Sequence, residues 1–245
     1  RYPDAAAATA ALAGAIGVDP RLVLLTNGGA EAISLVAAEL GGHVAEPEFA
    51  LHPRRGDGPR WRSNPHSPTG QLAAADEAAG VWDEAFYPLA TGHWTRGDAE
   101  RGAVVVGSLT KLFACPGLRL GYLLAPDGDL VDRLGRRQPR WSVNGLAASA
   151  LAGLLETADL PGWAAAVARL RADLTRLLAG HGLAPLPSDA NWVLCARAPG
   201  LRERLAPRGV LVRDCATFGL PGHARVAVPG PAGLGRLAAA LEATA

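Results

Sequence analysis

The chain has 245 residues, of which 49% are apolar, and a formal net charge of +1 at pH 7. It holds enough apolar sequence for one large domain or for a large and a small one, and its near balance of charge gives no argument for nucleic acid or an anionic membrane as partner. Cys115, Cys195 and Cys215 are odd in number, far apart and in no metal-ligand spacing, so they read as reduced thiols of a cytosolic protein without a metal site.

In chain order, residues 4–18 form an alanine-rich helix closed by Asp19-Pro20, 22–25 a short apolar strand, and 30–40 a second helix after the turn Thr26-Asn27-Gly28-Gly29. Residues 47–70 are rich in Pro, Gly and Arg and read as irregular, with Arg54, Arg55, Arg60 and Arg62 as a solvated basic cluster. A short helix is expected over 72–79, then an apolar pair, Val81-Trp82, running into Asp83-Glu84. Strands follow at 104–106 and 119–124, and helices at 130–137, 144–155 and 163–180. The last part reads as strand 192–195, helix 201–205, strands 210–213 and 224–228, and helix 232–243. Strands alternating with helices through Leu124 predict an α/β layered sheet, and the order after about 157 predicts a small α+β unit. No leader segment and no apolar run of membrane-spanning length is visible. There is no methionine, not even at position 1, so the sequence reads as a processed chain or a fragment.

Four stretches carry chemistry. Thr26-Asn27-Gly28-Gly29-Ala30-Glu31 is a glycine-rich turn between a strand and a helix N-terminus, where free N–H groups and the helix dipole favour an anion. Asn64-Pro65-His66-Ser67-Pro68-Thr69-Gly70 is a proline-rich turn, and Asp83 is an acid at a strand end, which needs a cationic partner if buried. In Ser108-Leu109-Thr110-Lys111, an apolar strand feeds a small-polar turn that ends on a lysine, with Arg119 eight residues on. A lysine so placed, flanked by hydroxyls and an arginine, suits an imine with a phosphorylated aldehyde.

Taken together, these stretches resemble the signatures of fold-type I pyridoxal-phosphate (PLP) enzymes, the class I/II aminotransferase family. That resemblance implies a PLP-transferase-like large domain with a mostly parallel sheet over 1–156, and a small α+β C-terminal domain over 157–245. It implies Lys111 as the lysine that carries PLP, Ser108, Arg119 and the amides of Gly29 and Ala30 at its phosphate, Asn64 at the ring hydroxyl, and Asp83 at the ring nitrogen. His52 stands where many relatives stack an aromatic on the ring, with Phe49 as its rival. Arg225 resembles the arginine that clamps a substrate carboxylate, with Asn191 and Arg213 as possible neighbours of the substrate. Tyr2 resembles a tyrosine that reaches the phosphate in the neighbouring subunit, which implies a homodimer.

The resemblance is nearest to the branch of histidinol-phosphate aminotransferase and threonine-phosphate decarboxylase. Trp141-Ser142-Val143-Asn144 after Gln138-Pro139 tilts it to the decarboxylase of cobalamin synthesis, as does Phe86 in place of a usual tyrosine, Tyr87 pointing the other way on a strand. The substrate implied is a small phosphorylated amino acid. Two alternatives stay open: transamination of the histidinol-phosphate type, and a PLP-fold protein that binds without turnover. The stretches 46–64 and 70–83 are far shorter than in relatives, and the usual arm before Arg1 is absent.

Overall fold

A computed structural model describes residues 2–244. Helix α1 (Ala6–Ile16) leads to β1 (Val23–Asn27), α2 (Gly29–Leu40) and the two-residue strand β2 (His43–Val44). Then come β3 (Arg60–Ser63), β4 (Val81–Asp83), the short α3 (Tyr87–Thr91), β5 (Val104–Gly107), α4 (Leu109–Leu112), β6 (Leu120–Leu124), α5 (Gly128–Arg137) and α6 (Gly145–Glu156). The long helix α7 (Leu160–Gly180) is followed by β7 (Ala184–Pro185), β8 (Trp192–Ala196), α8 (Leu201–Leu205), β9 (Arg213–Asp214), β10 (Ala224–Ala227) and α9 (Pro231–Glu242).

The first sheet has the order β1-β6-β5-β4-β3-β2. Strands β2 to β5 are parallel neighbours, and β6 runs antiparallel to both β5 and β1, so β6 alone opposes the rest. The fold is therefore α/β with a mostly parallel sheet, as the sequence implied. Alternation along the strands sorts side chains to two faces. On one face Trp82, Val105, Leu120 and Tyr122 pack with α1 and α6 residues such as Leu12 and Leu151. On the other, Val81, Val104, Val106 and Leu123 pack with Ile33 and Val36 of α2 and Leu130 and Leu134 of α5. Such doubly covered strands read as continuous apolar runs, which is why Val104-Val105-Val106 was legible as a strand.

The second sheet is antiparallel, in the order β7-β8-β10-β9, and shares an apolar cluster with Leu174 and Leu178 of α7 and Leu237 and Leu241 of α9. Helix α7 serves both cores: Leu160 packs into the cluster under the first sheet, Leu174 and Leu178 into the second.

Four expectations are corrected. Residues 72–79 are not helical, because their backbone is engaged elsewhere. Leu72 N–H donates to Asp189 Oδ2 and Ala73 N–H to Asn64 Oδ1, while Arg96 binds the carbonyls of Ala74, Ala75 and Glu77 and Arg60 that of Ala78. The irregular stretch 47–70 contains β3, and the strand expected over 210–213 is Arg213–Asp214. Of the arginine cluster, Arg55 is exposed as expected, but Arg60 and Arg62 both pair with Glu77 and Arg54 pairs with Glu46. Among the described residues no helix is long and apolar enough to cross a membrane, and the three cysteines are unpaired.

Candidate active site

In an open α/β sheet the carboxyl ends of the strands leave a crevice, because the chain departs there to opposite faces. Here β1, β3, β4 and β5 all end on one side, and β6 begins there. A cavity of about 250 Å³ lies at that edge, lined by Gly29 and Ala30 after β1, Ser63 of β3, Asp83 of β4, Ser108, Thr110 and Lys111 after β5, and Arg119 before β6. Trp192 and Arg225 reach it from the second sheet.

The two sheets are fastened together around this cavity. Trp192 Nε1 donates to Pro68 O at 2.9 Å, and Arg225 Nη1 lies 3.3 Å from Ser67 Oγ. Both N–H groups of Asp189 and Ala190 bond Gly70 O, and Arg171 of α7 binds the carbonyls of the same two residues. Arg225 stacks over Trp192 at 5.0 Å, and burial lowers its guanidinium from the usual arginine value.

The donor set suits a phosphorylated aromatic aldehyde. Gly29 and Ala30 open a 12-residue helix, so their N–H groups have no preceding turn to bond. Gly28 is the cap, at φ +77°, and a Cβ there would lie 2.3 Å from Arg119 Nη2. Only glycine lets the guanidinium approach this helix end. Ser108 Oγ and Thr110 Oγ1 lie 2.9 Å apart, and Lys111 Nζ sits 5.5 Å from the centre of the Phe86 ring. One guanidinium, two hydroxyls and two amides that have no partner among the described residues thus converge on an anion site, with the Lys111 amine near it. Opposite, Asp83 is 8% exposed, its Oδ1 taking the Ala85 N–H at 3.0 Å and its Oδ2 facing His52 Nε2 at 3.0 Å. It is a buried carboxylate whose only close side-chain partner among the described residues is an imidazole.

Of the residues expected from sequence, Gly29, Ala30, Asp83, Ser108, Lys111, Arg119 and Arg225 line this one cavity. Five do not. His52 is not in stacking position: its side chain is fully buried behind Asp83, between Phe49 and Trp61, and Phe49 is the aromatic at the cavity. Asn64 is 1% exposed, and its Oδ1 takes the Ala73 N–H at 3.0 Å, which leaves its Nδ2 donor without a partner among the described residues; its neighbours Ser63, Pro65 and Ser67 line the cavity. Asn191 lies just before β8 and does not line the cavity; its Oδ1 is buried without a partner among the described residues. Arg213 lies across the ladder from Arg225 but one strand farther out, where it bonds Thr217 Oγ1 and stacks over Phe218. Tyr2 is 75% exposed and stacks on Trp141 at 4.2 Å, away from the cavity.

Ser67, Thr110 and Trp192 were missed. Thr110 had a signal, since a hydroxyl two residues from Ser108 in a helical turn can share its partner. Trp192 opens β8 directly after Asn191, and its indole reaches Pro68 O and the cavity.

The family profile for aminotransferase class I and II matches residues 61–241. Threonine-phosphate decarboxylase of Salmonella typhimurium is 37% identical over 204 residues, 73% of this chain and 55% of that one. Histidinol-phosphate aminotransferase of Granulibacter bethesdensis is 35% identical over 140 residues, 54% of this chain and 37% of that one. The crystal structure of L-threonine-O-3-phosphate decarboxylase from Porphyromonas gingivalis superposes with a TM-score of 0.81 at 25% identity, covering 99% of this chain and 90% of that one. The chain spans about half the length, or less, of these two curated relatives.

Proposed function

Since the chain belongs to the class I and II aminotransferase family, we propose that it is a PLP-dependent enzyme acting on a small phosphorylated amino acid, with threonine-phosphate decarboxylation as its reaction. The observation that carries this reading is the convergence of Lys111, the anion cup and Asp83 on one cavity that Arg225 closes from the second sheet.

The cofactor would supply an electrophilic aldehyde carbon and a ring that takes up an electron pair. Lys111 Nζ would be the nucleophile for that carbon and the group that holds or returns a proton at the substrate Cα. The amides of Gly29 and Ala30, with Ser108, Thr110 and Arg119, hold the cofactor phosphate. Asp83 offers an anion to a ring nitrogen, and Phe49 is the aromatic placed to cover the ring. Asn64, with its Nδ2 free of partners among the described residues, would donate to the ring hydroxyl. Arg225 binds the substrate carboxylate, and Trp192 and Phe86, packed edge to face at 4.9 Å, keep that side apolar and dry. In decarboxylation the bond from Cα to the carboxylate breaks, carbon dioxide leaves, and a proton returns to Cα.

Phe86 favours decarboxylation over transamination. It lies beside Lys111 and offers a ring face with no hydroxyl, so this side chain donates no hydrogen bond to the ring oxygen. The similarity to histidinol-phosphate aminotransferase keeps transamination as the second reading. We take 1–156 and 157–245 as the two domains, with α7 bridging them, and a cytoplasmic homodimer in cobalamin biosynthesis as the setting that goes with the decarboxylase. The test is to incubate the protein with PLP and threonine phosphate. Release of carbon dioxide with an amino-alcohol phosphate supports the reading. A 2-oxo product made only with an added oxo-acid acceptor supports the second. Neither product would leave a binding protein without turnover.

A further inference from the structure

The anion cup is held by a carboxylate that stands outside the cavity. Glu31 is the third residue of α2, and neither it nor residues 138–144, which connect α5 to α6, line the cavity. Its Oε2 accepts the Asn27 N–H at 2.7 Å and an N–H of Gln138 Nε2 at 3.0 Å, and its Oε1 accepts the Ser142 hydroxyl. Gln138 Nε2 also donates to Leu25 O of β1 at 2.8 Å. Two residues past Ser142, Asn144 Nδ2 donates to Leu118 O at 2.9 Å, while Asn144 Oδ1 caps α6 by accepting the Ala147 N–H at 2.8 Å.

These contacts sit where β1 and β6 stop pairing. Their ladder ends at Asn27 opposite Leu120, so the cup on one strand and Arg119 on the other both lie just beyond its last pair. The ladder therefore does not itself pair the residues that would hold the anion. The 138–144 connection reaches both sides: Gln138 and Ser142 hold the cup through Glu31, and Asn144 holds Leu118, the neighbour of Arg119. Inside the cup, Glu31 takes the Asn27 N–H, Thr26 O takes the Gly28 N–H at 2.8 Å, and Gly28 O takes the Glu31 N–H at 3.2 Å. The N–H groups of Gly29 and Ala30 are left for an anion. By Coulomb's law alone a carboxylate so near would repel that anion. Its three donors are neutral, so what Glu31 supplies to the site is a fixed shape, at the cost of an adverse charge.

We propose that Glu31 is a positioning residue for the cofactor phosphate, setting the cup against Arg119 through Gln138 and Ser142. Phosphate affinity then depends on the hydrogen bonds that Glu31 accepts and not on its charge. The proposal rests on the PLP reading for the identity of the anion, but its geometry concerns any phosphate at the cup.

The test is to measure dissociation constants for PLP, pyridoxal and inorganic phosphate by calorimetry, with the wild type, Glu31→Ala, Glu31→Gln and Gln138→Ala. Alanine removes every bond that Glu31 accepts. Glutamine can keep them, with its oxygen at the Oε2 place and its amide donating to a turned Ser142 hydroxyl. Glu31→Ala and Gln138→Ala should each weaken PLP and phosphate about tenfold and leave pyridoxal, which has no phosphate, within about twofold. Glu31→Gln should bind phosphate as the wild type does or more tightly. Tighter phosphate binding by Glu31→Ala, the outcome of charge alone, overturns the proposal. Equal weakening of PLP and pyridoxal, the outcome of a merely structural role, overturns it too. Gln138→Ala leaves every cup residue in place, so a Glu31→Ala that fails to fold does not shelter the proposal: unchanged phosphate affinity in Gln138→Ala overturns it, as does a wild type that binds no phosphate. Failure of the PLP reading shows separately, as a wild type that binds phosphate yet forms no Lys111-dependent absorption band with PLP.

Discussion

Replacing Glu84 by glutamine should change how stability depends on pH. Glu84 follows Asp83 and points to the opposite face, where it is fully buried. Its two oxygens share the Arg96 N–H at 3.2 and 3.3 Å. Burial pushes its carboxyl up to about 7 from 4.5, Asp98 adds to that, and the Thr95 hydroxyl, the Arg96 N–H and the Arg96 charge pull it back. Below pH 4.5 the folded and unfolded chains both hold this proton, so the stabilisation is complete. Between 4.5 and about 7 the unfolded chain has released the proton and the folded chain has not, so stability falls as pH rises. Above about 7 both are ionised, and the loss levels off at about 3 kcal/mol. Glutamine keeps an oxygen for the Arg96 N–H and cannot ionise. Glu84→Gln should therefore lack this fall and be about 3 kcal/mol more stable than the wild type, relative to their difference in acid, at mildly alkaline pH. Urea unfolding followed by circular dichroism across this range measures it. Parallel pH profiles for the two proteins would refute the reasoning.

Three further outcomes follow from particular contacts. A Cβ on Gly121 would sit 2.4 Å from Gly28 C and 2.5 Å from Gly29 N, backbone atoms that cannot turn aside, so Gly121→Ala should cost about 3 kcal/mol in urea unfolding and weaken phosphate binding at the cup. Arg96 binds three carbonyls and lies 4.7 Å from the centre of the Trp82 ring, so Arg96→Ala should destabilise by about 2–3 kcal/mol and open residues 72–79 to limited proteolysis. Arg225→Lys loses the planar fork while keeping the charge, so KM for threonine phosphate should rise roughly tenfold with a smaller change in kcat; an unchanged KM would remove Arg225 from the carboxylate site.

Much of the first sheet could be read from the chain because its strands are buried on both faces and its glycine turn and lysine turn sit at strand ends, where local sequence dictates structure. What could not be read depends on distant partners. Residues 72–79 carry five alanines and look helical, but guanidinium and side-chain groups from far along the chain bind their backbone. His52 and Phe49 are three residues apart, and only the fold around Arg54 decides which faces the cavity. The Asn64 loop presents one polar set to the cavity and another to Ala73, and sequence does not say which.

The most direct test of the account is the visible absorption spectrum after adding PLP, recorded for the wild type and for Lys111→Ala. The account predicts a bound-cofactor band that requires Lys111 and shifts when threonine phosphate is added. A wild type that gains no band, or a variant that gains the same one, would contradict it.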